Sequence, residues 1–153
     1  MKSNQLIFTM ILVASIWLIA CSNSVVKEEE FPPSMSGIVK VNEKEYKMAA
    51  GSFRWERQQG ENTQTAQTDA ASPNQIAESF NPISVEPNTT IQIEIEDNPQ
   101  IAVYLWDEDG RGEIIPTTDN QMSVRQNKGL YIYEVYATWP NGELSYTFVV
   151  EVK

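Results

Sequence analysis

The stretch from Gly129 to Val152, GLYIYEVYATWPNGELSYTFVVEV, decides the fold. Tyr131, Tyr133, Val135, Ala137 and Trp139 alternate with mostly polar neighbours. After Asn141-Gly142, a strong hairpin signal, Leu144, Tyr146, Phe148, Val150 and Val152 form a second strict alternation. A period of two puts each set on one face of a strand, so the stretch reads as two antiparallel strands joined by a tight turn. The same pattern extends upstream. Ile91, Ile93 and Ile95 alternate with Gln92, Glu94 and Glu96. Ile101 to Trp106 is an unbroken apolar run, expected as a central strand covered on both faces. Asp109-Gly110 signals a turn, from which Glu113-Ile114-Ile115 returns. Gly37 to Val41 and Glu45 to Met48 flank Asn42-Glu43-Lys44 as a further hairpin, and Gly51 to Trp55 is another short strand. About seven or eight strands at intervals of about 8–12 residues indicate an all-β sandwich or barrel.

Lys128-Gly129-Leu130-Tyr131-Ile132-Tyr133 narrows the choice, because it resembles the turn entering strand F of an immunoglobulin-like sandwich. The resemblance implies that Tyr131 hydrogen-bonds back to the corner and that Tyr133 stands where antibody domains carry a core cysteine. The expected fold is therefore an immunoglobulin-like antiparallel β-sandwich over residues 34–153. Residues 58–74 contain Gln, Thr, Asn, Ala and Ser without a large apolar side chain, and are expected to be a mobile, disordered insertion. Ser72-Pro73-Asn74-Gln75 closes it with a capping-box pattern, and one or two helical turns through about Ser79 follow.

Composition removes several classes of activity. The chain of 153 residues has 21 acidic side chains against 11 basic, a net charge of −10, no histidine and one cysteine. Without histidine there is no Ser-His-Asp or Cys-His nucleophile and no His-ligated metal. One cysteine forms no internal disulfide and no Cys-cluster metal site. The acidic balance argues against a nucleic-acid partner. No cofactor is expected.

The first 20 residues read as an address. Lys2 precedes an apolar run from Leu6 to Ala20, too short for a comfortable span of about 20 residues but suited to a signal peptide. Leu18-Ile19-Ala20-Cys21 resembles the lipobox of bacterial lipoproteins. That resemblance implies cleavage before Cys21, a diacylglycerol on its sulfur and an acyl chain on its new amino group. The chain would then be anchored on the extracytoplasmic face of the cell membrane. Residues 21–33 read as a tether, with a Lys27-Glu28-Glu29-Glu30 charge run and Pro32-Pro33, and would reach about 20 Å.

Gly51-Ser52-Phe53-Arg54-Trp55 and the segment from Gly129 to Gly142, followed by Tyr146-Thr147-Phe148, resemble framework segments of small surface lipoproteins from Gram-positive, Bacillus-like bacteria. That set implies fold and location and carries no assigned activity. The acidic tip Trp106-Asp107-Glu108-Asp109 is a candidate contact surface, although its glycine arrives too early for a calcium-binding EF-hand loop. Trp55, Trp106 and Trp139 are core or binding aromatics, with Trp106 expected to be partly exposed. A non-catalytic envelope binding or structural module is expected, with an unknown envelope protein or polymer as partner. The alternatives are an envelope hydrolase using a carboxylate pair and an inhibitor that presents the 58–74 loop to a secreted enzyme.

Overall fold

The computed structural model describes residues 30–153. The lipobox with Cys21, and most of the expected tether, lie outside the described residues. In chain order the elements are β1 (Gly37–Val41), β2 (Lys44–Lys47), β3 (Ala49–Gln59), β4 (Asn62–Thr68), α1 (Pro73–Ala77), β5 (Ile83–Val85), β6 (Thr90–Ile95), β7 (Gln100–Asp107), β8 (Gly110–Ile115), β9 (Gln121–Ser123), β10 (Gly129–Trp139) and β11 (Gly142–Val152).

Two sheets pack face to face. The smaller has the order β2-β1-β6-β9 and the larger β4-β3-β11-β10-β7-β8, with β5 added in parallel beside β11. The order β8-β7-β10-β11 facing β6-β9 is that of an immunoglobulin-like sandwich. The first four strands enlarge that frame: the β1/β2 hairpin widens the smaller sheet and the β3/β4 hairpin the larger one.

The inner faces follow the period-two pattern. Ile91, Ile93 and Ile95 of β6 meet Tyr133, Val135, Ala137, Leu144, Tyr146 and Phe148 of β10 and β11 in one buried cluster. Tyr133 and Phe148 stack at 5.2 Å between ring centroids, and Trp55 packs on Trp139 at 5.0 Å. The Trp139 indole N–H donates to the Glu96 carbonyl at 3.3 Å, tying the larger sheet to the end of β6. Tyr131 is the corner tyrosine: its hydroxyl donates to the Asn127 carbonyl at 2.9 Å.

Four expectations need correction. The stretch 58–74, expected to be disordered, is the end of β3, the turn Gly60-Glu61, strand β4 and the entry to α1. Gly60, at φ +64°, makes the tight turn. Polar side chains then hold the pair together: Arg57 Nε donates to Gln64 Oε1 at 2.8 Å, and Gln58 Nε2 to Thr63 Oγ1 at 3.0 Å. The hydrophobic signal is missing because β4 is an edge strand with almost every side chain exposed. The run from Ile101 to Trp106 is not covered on both faces. Only Val103 is fully buried, because the outer side of β7 forms part of an open groove. Phe31, placed in the tether by sequence, packs against the core with the Arg57 guanidinium 4.5 Å from its ring centroid. Finally, the β10/β11 turn is Pro140-Asn141, since Trp139 pairs with Gly142. Gly142 is there because of a close approach: a Cβ would sit 2.2 Å from Trp55 Cε3.

Helix α1 forms where its capping chemistry was legible. The Ser72 hydroxyl accepts from the Gln75 N–H at 3.3 Å, and the Gln75 side chain accepts from the Ser72 N–H at 3.0 Å. The helix contacts β7, β10 and β11 of the larger sheet. That side of β11 carries Thr147 and Val149, both buried.

Candidate functional site

The groove lies on the outer face of the larger sheet, between the segment leading into α1 and strands β3, β11, β10, β7 and β8. Its volume is about 420 Å³. The alternation that sends Tyr133 and Val135 inward sends Glu134 and Tyr136 outward onto its floor. Glu134 is only 4 % exposed. A buried carboxylate needs partners, and here both oxygens have them. Arg111 Nε donates to Oε2 at 2.8 Å and Arg111 Nη2 to Oε1 at 2.9 Å, while the Trp106 indole N–H donates to Oε2 at 2.6 Å. The two parallel bonds from Arg111 form a charge-assisted fork. The guanidinium also stacks 4.5 Å from the Tyr104 ring centroid and 5.3 Å from that of Tyr136. The Glu134 hydrogen bonds hold the Arg111 guanidinium well above its usual range, so it stays charged.

Tyr136 connects the floor to the wall. Burial, then the neighbouring Glu143 carboxylate, push its hydroxyl up to about 12, so it stays protonated. Arg54, opposite Glu143 in the β3/β11 ladder, pairs with Glu56 at 2.7 Å. Gln67, Thr68, Asp69 and Ser72 supply hydroxyl, amide and carboxylate groups along the rim. The arrangement offers fixed donors and acceptors on a stiff sheet. Among the described residues, no group of three or more His, Cys, Asp or Glu is placed to hold a metal ion.

The residues singled out at the acidic tip separate in space. Trp106 turns onto the groove floor and reaches Glu134. Asp107, at the end of β7, accepts the Asp109 N–H on Oδ1 at 2.9 Å, so its carboxylate shapes the turn. Its carbonyl accepts from Asn74 Nδ2 at 2.8 Å, which holds α1 against the hairpin. Glu108 and Asp109 are exposed at the tip. Trp55 and Trp139 belong to the core. Sequence reasoning missed Glu134, Arg111 and Tyr136. The available signal was Glu134 itself, a charge in the middle of an aromatic strand with apolar or aromatic residues at both flanking same-face positions, Ile132 and Tyr136.

Among the described residues, no helix is long and apolar enough to cross a membrane. No family model, no curated protein and no solved structure matches the chain.

Proposed function

We propose that the chain is a lipid-anchored, extracytoplasmic envelope protein whose sandwich domain is a non-catalytic binding module working through the outer-face groove. The Glu134–Arg111–Trp106 floor carries the binding reading. A charge pair locked by three hydrogen bonds and two aromatic rings presents a preformed surface, which lowers the ordering cost of recognition. The hydroxyl and amide groups of the rim suit a polar, hydrogen-bonding ligand such as an envelope polymer. The lipid anchor rests on Leu18-Ile19-Ala20-Cys21 and the apolar run before it.

The rival reading, a hydrolase with a carboxylate pair, draws on Glu134 and Glu143 lining the same groove. Glu134 already accepts from Arg111 and Trp106 on both oxygens, so one member of that pair is not a ready proton shuttle. The inhibitor reading loses its exposed loop, since 62–68 is strand.

Two experiments test the proposal separately. Cys21→Ser should move the protein from the membrane to the soluble fraction; retention of that variant would refute the anchor. Purified envelope polymer should retain the wild-type protein and lose the Gln67→Ala/Asp69→Ala double variant by about tenfold in affinity. Equal retention of both would refute the groove as the binding site.

A further inference from the structure

Each sheet edge offers a row of unpaired backbone groups, and proteins usually block such rows with charge, proline, bulges or short strands. Three of the edges here are blocked. Strand β2 carries Lys44, Glu45 and Lys47; β8 carries Arg111 and Glu113, with a register shift against β7; β9 has three residues. Strand β4 has none of these defences. Its seven residues, NTQTAQT, contain no charge, no proline and no glycine, and among the described residues it pairs only with β3, without a register shift.

The geometry of the β3/β4 hairpin says which groups are unpaired. A two-residue turn makes Gln59 and Asn62 a hydrogen-bonded pair, and the bonding then alternates. Gln64 and Ala66 therefore bond to β3, while the N–H and C=O of Thr63, Thr65 and Gln67 point outward.

We infer that the β4 edge is an interface for a second copy of this chain, pairing antiparallel about a two-fold axis. The choice of occupant follows from charge. Two chains of net charge −10 repel over most of their surfaces, and β4 is an edge where they can meet without opposing carboxylates. With Thr63 opposite Thr65 of the second copy, Gln64 meets Gln64 and Glu61 faces Gln67. Cross-strand pairs of threonine are favourable, and no like charges stand opposite. Such an axis is perpendicular to the sheet, so the two larger sheets become continuous and their outer grooves open on the same side. The inference stands whether or not the groove binds an envelope ligand.

The test is disulfide trapping in the full-length chain. In the proposed register the two Gln64 residues form a non-hydrogen-bonded pair about 4.5 Å apart at Cα, within disulfide reach. Under mild oxidation, Gln64→Cys should form covalent dimer about tenfold more than Glu113→Cys on the β8 edge, over the background of the parent chain with Cys21. Adding Thr65→Pro removes one outward N–H and should suppress the cross-link, whereas Thr65→Val, which keeps it, should not. Equal cross-linking at both edges, none at Gln64, or full cross-linking with Thr65→Pro would each overturn the inference. The comparison of the two edges decides the matter even if the proline variant does not fold.

Discussion

Gly142 lies so close to the ring of Trp55 that a single added carbon would stand 2.2 Å from Trp55 Cε3 and 2.8 Å from the Arg54 carbonyl. Backbone and ring are both fixed, one by the β10/β11 turn and the other by Trp139. Gly142→Ala therefore overfills the core and should cost about 1–3 kcal/mol. For a domain of this size that lowers the melting temperature by about 4 °C per kcal/mol. An unchanged melting curve would show that the ring moves aside freely.

The two tyrosines at the start of β10 should respond in opposite ways to loss of their hydroxyls. Tyr131→Phe removes the bond to the Asn127 carbonyl and should cost about 1 kcal/mol in urea unfolding. The Tyr133 hydroxyl is sealed from water beside the Arg125 backbone and has no well-formed hydrogen bond. Tyr133→Phe should therefore be neutral or slightly stabilising. Equal losses in the two variants would contradict this contrast.

Glu134→Gln keeps the shape of the groove floor and removes its charge. Arg111 then faces a neutral amide and loses one of its two bonds, and the Trp106 bond goes as well if the amide nitrogen takes the place of Oε2. Because Arg111 is partly exposed, water recovers some of the loss, and a cost of about 1–2 kcal/mol is expected. The fluorescence of Trp106 should shift, since its indole N–H loses a carboxylate partner. Stability within experimental error of wild type would show that the fork contributes nothing.

Stability should fall in alkali. Burial pushes Tyr133 and Tyr136 up to about 12 from 10.0, and raises Tyr146 as well. Between about pH 10 and 12 the unfolded chain has released these protons and the folded chain has kept them. The folded state then binds more protons, so its stability decreases as pH rises through that window. The urea midpoint should drop between about pH 9 and pH 11.5, with phenolate absorbance delayed until unfolding. A flat midpoint would refute the burial of these hydroxyls.

Much of the sandwich was legible because burial on one face leaves a period of two. Ile91-Ile93-Ile95 and Leu144-Tyr146-Phe148 each mark a strand and its inward side at once. The corner at Tyr131 and the cap at Ser72 were legible for a different reason: each is a local hydrogen bond between residues three or four apart. Strand β4 was not legible. Its order comes from the backbone ladder to β3 and from polar pairs such as Arg57 with Gln64, and a window of sequence does not display its future neighbour. The groove was hidden for the same reason. Arg111 and Glu134 are separated by 23 residues and meet only when β7 sets β8 and β10 on its two sides.

Strand β11 is translated after the ten other strands of the described residues, and it seats three of them. β10 lies along one flank, and the other flank takes β3 at Leu144 and β5 at Val150. Phe53 must therefore wait for a residue 91 positions downstream, and Ile83 for one 67 positions downstream. Closing such large loops is slow. A nascent polypeptide consequently cannot close the larger sheet until that strand has left the ribosome.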